Sequence, residues 1–297
     1  MSYPLSSPQN RVRNALQLLA FILLSGWIAK CSIPILLSSY NWWGKKAFLH
    51  LLAPLESFSH PQFYNNAYNR ILKLLWTLLF CYLWRWSRDS VQIRLNLHRT
   101  TFVHLLQGIA VGLGSLLIPF FAFVFLTGTH VTLNLQLPKL LWNFFFFIPL
   151  FSLCTSLYEE LICREYLIRK FKSWHGSVHF APIAQAIIFG LGHYHNVSGG
   201  WKLVMSTGIG GLFMGYAFLY SGNVAYSVGI HTGLHMTNSI FSFLIGDIDF
   251  SAYEPYLYVF GRNMLGLIGL LPMLCYTVYF ARKVEQQQKA TSTSVEQ

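Results

Sequence analysis

A small set of ionisable side chains in three apolar stretches has the types and spacing that acid–base chemistry uses. Glu159, Glu160 and Arg164 lie in "SLYEELICREYL", His193 and His195 in "FGLGHYHN", and His231 and His235 in "HTGLH". On a helix Glu160 and Arg164 are four residues apart and share a face, so they can pair, and the arginine then keeps Glu160 ionised. Glu159 is turned about 100° away and is free to meet a different neighbour. Within a membrane each such group costs about 2.5–3.5 kcal/mol to insert, which makes it a functional candidate. The plainer alternative is a polar network that only locks helices together. An ion pair, however, needs no second carboxylate beside it, and a packing network needs no imidazoles at one depth.

The elements that must position these residues are apolar. Of the 297 residues 54% are hydrophobic and only 10% charged, against about 25% charged in ordinary soluble domains. Runs of roughly 20 apolar residues, the length that crosses a hydrocarbon core, recur along the chain. The reading is an all-α polytopic membrane bundle with about eight spans, near 15–38, 70–87, 103–126, 140–163, 180–195, 202–220, 223–245 and 256–281. It forms one domain over 1–285 with a motif-bearing core at about 140–245, followed by a polar tail, 286–297, too poor in apolar residues to pack and expected to be disordered. Basic clusters follow the second, fourth and eighth spans at Arg85 to Arg99, Arg164 to Lys172, and Arg282 and Lys283. By the positive-inside rule both termini are cytoplasmic.

Depth can be counted along these spans. The turn between spans four and five falls at "SWHGS", Ser173–Ser177, with Gly176 as breaker. Glu159 lies about 15 residues before it and His193 about 17 after it, so both stand roughly 22–26 Å along an antiparallel pair. His231 is about 12 Å into span seven from the same side. Three segments thus bring a carboxylate and imidazoles toward one layer.

The motifs also have a pattern: "EELICR" is EExxxR, "FGLGH" from Phe189 to His193 is FxxxH, and "HTGLH" stands where HxxxN is usual. Over about residues 150–245 the chain resembles the CPBP family, also called the Abi or CAAX-protease family, of intramembrane proteases. The resemblance implies that Glu159 is the general base, that Glu160 and Arg164 form its supporting pair, and that His193 and His231 complete the site. A water held between Glu159 and His193 would lose its proton to the carboxylate and attack a peptide carbonyl, with span-seven donors stabilising the oxyanion. His235 replaces the family's Asn: either it donates in its stead, or Asn238, one further turn along, takes the amide role. The substitution leaves two versions of the chemistry. The favoured one uses no cofactor; the alternative is a zinc site built by His193, His231 and His235. His195 points elsewhere and is second to His193.

The net charge of +11 serves topology and anionic lipid rather than nucleic acid, because the basic residues flank hydrophobic spans. The five cysteines form no CxxC pair and read as buried thiols. A proton-coupled transporter would also place carboxylates and histidines at mid-depth, but neither broken helices nor a repeated half is evident. A non-catalytic membrane adaptor is a third reading, resting on the altered "HTGLH". The expected partners are membrane lipid and a membrane-associated protein or peptide, either prenylated or bacteriocin-like. The expected location is a bacterial inner membrane.

Overall fold

A computed structural model describes residues 13, 15–21, 71, 74–75, 77–85, 91, 93, 99–128, 130–133, 148–174, 177–194, 200–248 and 267–295. Most of the first two expected spans, the breaker Gly176 and His195 lie outside the described residues.

The helices follow from the apolar runs. Helix α1 is Arg99–Thr127. The motif helix begins as α2, Ile148–Glu160, continues as a π-helical stretch, Leu161–Ile168, and ends as α3, Arg169–Trp174. After the turn come α4, Phe180–Gly192, α5, Gly200–Ser221, and α6, Val224–Leu244; the last helix, α7, is Leu267–Val295. Among the described residues two helices are long and apolar enough to cross a membrane, Arg99–Thr127 and Leu203–Ser221. The outside of α1 agrees with that: Phe102, Ile118, Phe121, Phe125 and Leu126 are large, apolar and exposed. A helix that is apolar on all faces needs either a protein core or lipid around it.

Close approach of backbones sets the crossing of α1 and α6. Gly108 and Gly112 of α1 face Gly229 and Gly233 of α6, and a Cβ on Gly112 would stand 2.2 Å from the Ile230 carbonyl oxygen. Small residues at four-residue spacing let membrane-type helices pack this tightly. The motif helix is anchored on its other side by aromatic packing. Tyr166 stacks on Phe21 at 3.6 Å between ring centroids, and Trp84 meets both rings edge-on.

Three elements differ from the sequence reading. The fifth helix spans Phe180–Gly192 rather than 180–195 and stops at His193, where two glycines in "GLG" weaken the helix; it is about 20 Å long against about 33 Å for α5. The polar tail is helical through Val295, so that residues 286–295 extend α7 instead of being disordered. The all-α architecture also carries one short antiparallel pair, β1, Val131–Leu133, with β2, Ile245–Ile248, in the register Val131↔Ile248 and Leu133↔Ile245. Gly128, at φ 65°, turns the chain after α1, and these strands, rich in β-branched residues, follow the packed α1 and α6.

Candidate active site

The motif residues meet where α2 passes into its π-helical stretch. Such i→i+5 segments are rare and occur mostly at functional sites; here the segment starts directly after Glu160. Glu160 and Arg164 are both fully buried, and Arg164 Nη1 donates to Glu160 Oε1 at 2.7 Å. The same oxygen lies 2.9 Å from Nδ1 of His231, brought in by α6. A carboxylate charged by its arginine can only accept, so His231 carries a proton on Nδ1. Its other ring nitrogen, Nε2, points at Glu159, whose Oε2 is 3.7 Å away. One imidazole therefore stands between two adjacent glutamates.

Burial separates those glutamates. The side chain of Glu160 is 0% exposed and that of Glu159 is 17% exposed. The first is a sealed framework; the second can be reached. Glu159 Oε1 accepts a hydrogen bond from Tyr158 Oη at 2.9 Å, and the 3.7 Å gap on Oε2 is too long for a direct hydrogen bond.

Phe189 of α4 is the floor of the site. The Arg164 guanidinium lies 4.7 Å from its ring centroid, and the rings of His193 and His231 meet it edge-on at 4.7 and 6.2 Å. Its backbone carbonyl, near the helix end where it has no partner further along, accepts from His193 Nδ1 at 2.8 Å. That fixes the proton of His193 on Nδ1 and leaves Nε2 to act elsewhere. Arg164 Nη2 also reaches the Gly211 carbonyl of α5 at 3.3 Å, so three helices hold the guanidinium.

The structure thus gathers Glu159, Glu160, Arg164, Phe189, His193 and His231. The imidazole against Glu159 is His231; His193 joins through Phe189 and is not a direct partner of either glutamate among the described residues. His235 stacks on His231 with centroids 4.6 Å apart and ring planes at 19°. Asn238 lies one turn further along α6 and is half-buried. It is not among the partners of Glu159, Glu160 or His231. Among the described residues no three His, Cys, Asp or Glu side chains are grouped to hold a metal ion, the trio of His193, His231 and His235 included.

Residues that the sequence reading passed over also shape the site. Tyr158 touches Glu159 directly, and the glycine pairs of α1 and α6 set how closely His231 is delivered. The repeated small-xxx-small spacing was a readable signal for the glycines. Glu165, buried on the same stretch, pairs with Arg169 at 3.0 Å, a second ion pair one turn beyond the first.

Helices with apolar exteriors that enclose a carboxylate, arginine and imidazole hub form a bundle with an internal acid–base centre. Residues 141–237, about a third of the chain, match a family model described as type II CAAX prenyl endopeptidase Rce1-like. The three motifs, Glu159 to His235, all fall inside the matched segment, and the CAAX-protease family that they resemble is the family found there. No curated protein and no solved structure matches the chain.

Proposed function

We propose that the protein is an integral membrane endopeptidase of the CAAX type that cleaves a prenylated, membrane-associated protein near its C-terminus. The observation that carries this reading is the unequal pair: Glu160 sealed by Arg164 and His231, and Glu159 accessible beside the same histidine. The family name supports the substrate class. Both termini then lie on the cytoplasmic face, as the basic clusters indicate. A bacterial inner membrane is the assigned location, which rests on the resemblance of "EELICREYL" to bacterial members.

In the proposed reaction a water binds Glu159 Oε2 to the side of the line to His231 Nε2, within hydrogen-bond reach of both. Glu159 takes one proton from that water, and its oxygen attacks the scissile carbonyl carbon. The carbonyl electrons move to oxygen, where an imidazole N–H of His235 donates to the developing charge, and His193, its Nδ1 proton held by the Phe189 carbonyl, lines the site with Nε2 as an acceptor. Collapse breaks the C–N bond, and the proton held by Glu159 passes to the leaving amine. His231 keeps the tautomer set by Glu160 and orients the water, while Asn238 shapes the outer end of the same helix face. No step requires a metal, and zinc is kept as the alternative for the same histidines.

The test is release of the C-terminal tripeptide from a farnesylated reporter peptide by the full chain in proteoliposomes. Wild type should release it, and Glu159→Gln should not, with unchanged thermal unfolding. Wild-type rates in Glu159→Gln would remove Glu159 as base. Cleavage of membrane peptides irrespective of the prenyl group would remove the substrate class.

A further inference from the structure

The proposed base has two oxygens with different neighbours, and one of them is held by a residue outside the three motifs. Tyr158 Oη donates to Glu159 Oε1 at 2.9 Å, and Oε2 stands 3.7 Å from His231 Nε2. The phenol is the donor here, because a charged carboxylate only accepts. The terminal torsion of a glutamate is broad and roughly two-fold, so a carboxylate held by no donor is free to rotate. If Oε2 turned away, the base would no longer face the space beside His231 Nε2 where the water stands. The contact from Tyr158 opposes that rotation.

We infer that Tyr158 is a positioning residue that clamps Oε1 of Glu159, so that Oε2 is the oxygen presented to water. This rests on the reading of Glu159 as the base. Tyr158 and Glu159 are consecutive residues of α2, and although their directions differ by about 100° around the axis, the long phenol side chain reaches across to Oε1. The clamp therefore comes from the helix that bears the base and moves with it. Glu160, on the other side of Glu159, has its Oε1 engaged by Arg164 and His231, so the two glutamates are fixed by separate donors.

The experiment compares Tyr158→Phe, Tyr158→Gln and Glu159→Gln in the full chain in proteoliposomes, with the farnesylated reporter peptide as probe. Tyr158→Phe removes only the hydroxyl. Its kcat should fall about tenfold, the weight of one hydrogen bond to a charged group, with KM and unfolding temperature unchanged. Tyr158→Gln, whose amide can still donate, should recover part of the lost kcat. A wild-type kcat in Tyr158→Phe overturns the inference, and so does a loss confined to KM, or a Gln variant no faster than the Phe variant. A Tyr158→Phe protein that does not fold also overturns it, since the ring is kept and a clamp needs only the hydroxyl. Retained cleavage by Glu159→Gln overturns the underlying reading instead, which separates the two failures.

Discussion

Nδ1 of His231 lies 2.9 Å from Oε1 of Glu160, the oxygen that also takes Nη1 of Arg164 at 2.7 Å. One carboxylate oxygen thus ties α6 to the motif helix and the motif helix to itself. All three groups are buried or nearly so. Such a cluster is stable only when complete, because removing one partner of a buried pair leaves the other charge uncompensated.

Glu160→Gln should therefore behave unlike Glu159→Gln although the residues are adjacent. Loss of the Glu160 charge strands Arg164 and is expected to destabilise by about 3–5 kcal/mol, which thermal unfolding in detergent would show as a large drop in midpoint. Loss of the Glu159 charge, on a 17% exposed side chain, should leave the midpoint within about 0.5 kcal/mol of wild type. Equal midpoints for the two variants would contradict the division between framework and base.

His231 can be dissected by nitrogen. Asn at this position keeps an N–H near the place of Nδ1, able to donate to Glu160, but has nothing near Nε2. His231→Asn should fold with near-wild-type stability and lose at least about 100-fold in kcat, in the range that removal of a positioned acid–base group gives. His231→Ala should lose both, with about 1–3 kcal/mol of stability gone as the Glu160 partner disappears. Unfolding curves and reporter cleavage on the same preparations separate the two effects.

The metal-independent version makes its own forecast. Both ring nitrogens of His231 face carboxylates, and His193 Nδ1 is bound to the Phe189 carbonyl. Purified protein should hold less than about 0.1 zinc per chain, since an incomplete ligand set gives little of the affinity of a full site. Reporter cleavage should survive dialysis against a chelator. Stoichiometric zinc by elemental analysis, with activity lost on chelation and restored by zinc, would transfer the chemistry to the alternative.

Much of the site was legible because it depends on local spacing. The pairing of Glu160 with Arg164 follows from four-residue spacing on one helix, and the spacing survives even though Arg164 lies in a π-helical stretch. That an imidazole from a separate helix stands at the depth of Glu159 was legible for the same reason, as rise per residue is nearly constant. Which imidazole meets Glu159 was not, because it depends on how far α6 leans toward α2, set by glycine contacts with α1 on its opposite side. The early end of α4 at His193 was not read either: "GLGH" continues the apolar run, and the fact that a side chain closes the helix end is visible only when its nitrogen is placed on the Phe189 carbonyl. The helical tail was missed because composition argued against a packed core, whereas a helix continuing from α7 needs only propagation, not a new nucleus.

The crossing of α1 and α6 gives the last prediction. Gly233 sits between His231 and His235, and a Cβ there would stand 2.5 Å from the Ile109 carbonyl oxygen and 2.8 Å from the Leu113 nitrogen. Those are backbone atoms and cannot swing aside, so Gly233→Ala must push α6 off α1 and shift His231 out of its register with Glu160 and Glu159. A displacement near 1 Å costs about 100-fold in rate when catalytic groups are held by geometry, and overpacking adds about 1–3 kcal/mol of destabilisation. Gly210 of α5 supplies the control, because nothing lies within 4 Å of a Cβ built on it. Gly210→Ala should be neutral or stabilising by up to about 1 kcal/mol through helix propensity, with cleavage unchanged. Reporter kinetics and unfolding midpoints for the two alanine variants measure this directly, and equal behaviour would show that the glycine crossing does not set the position of His231.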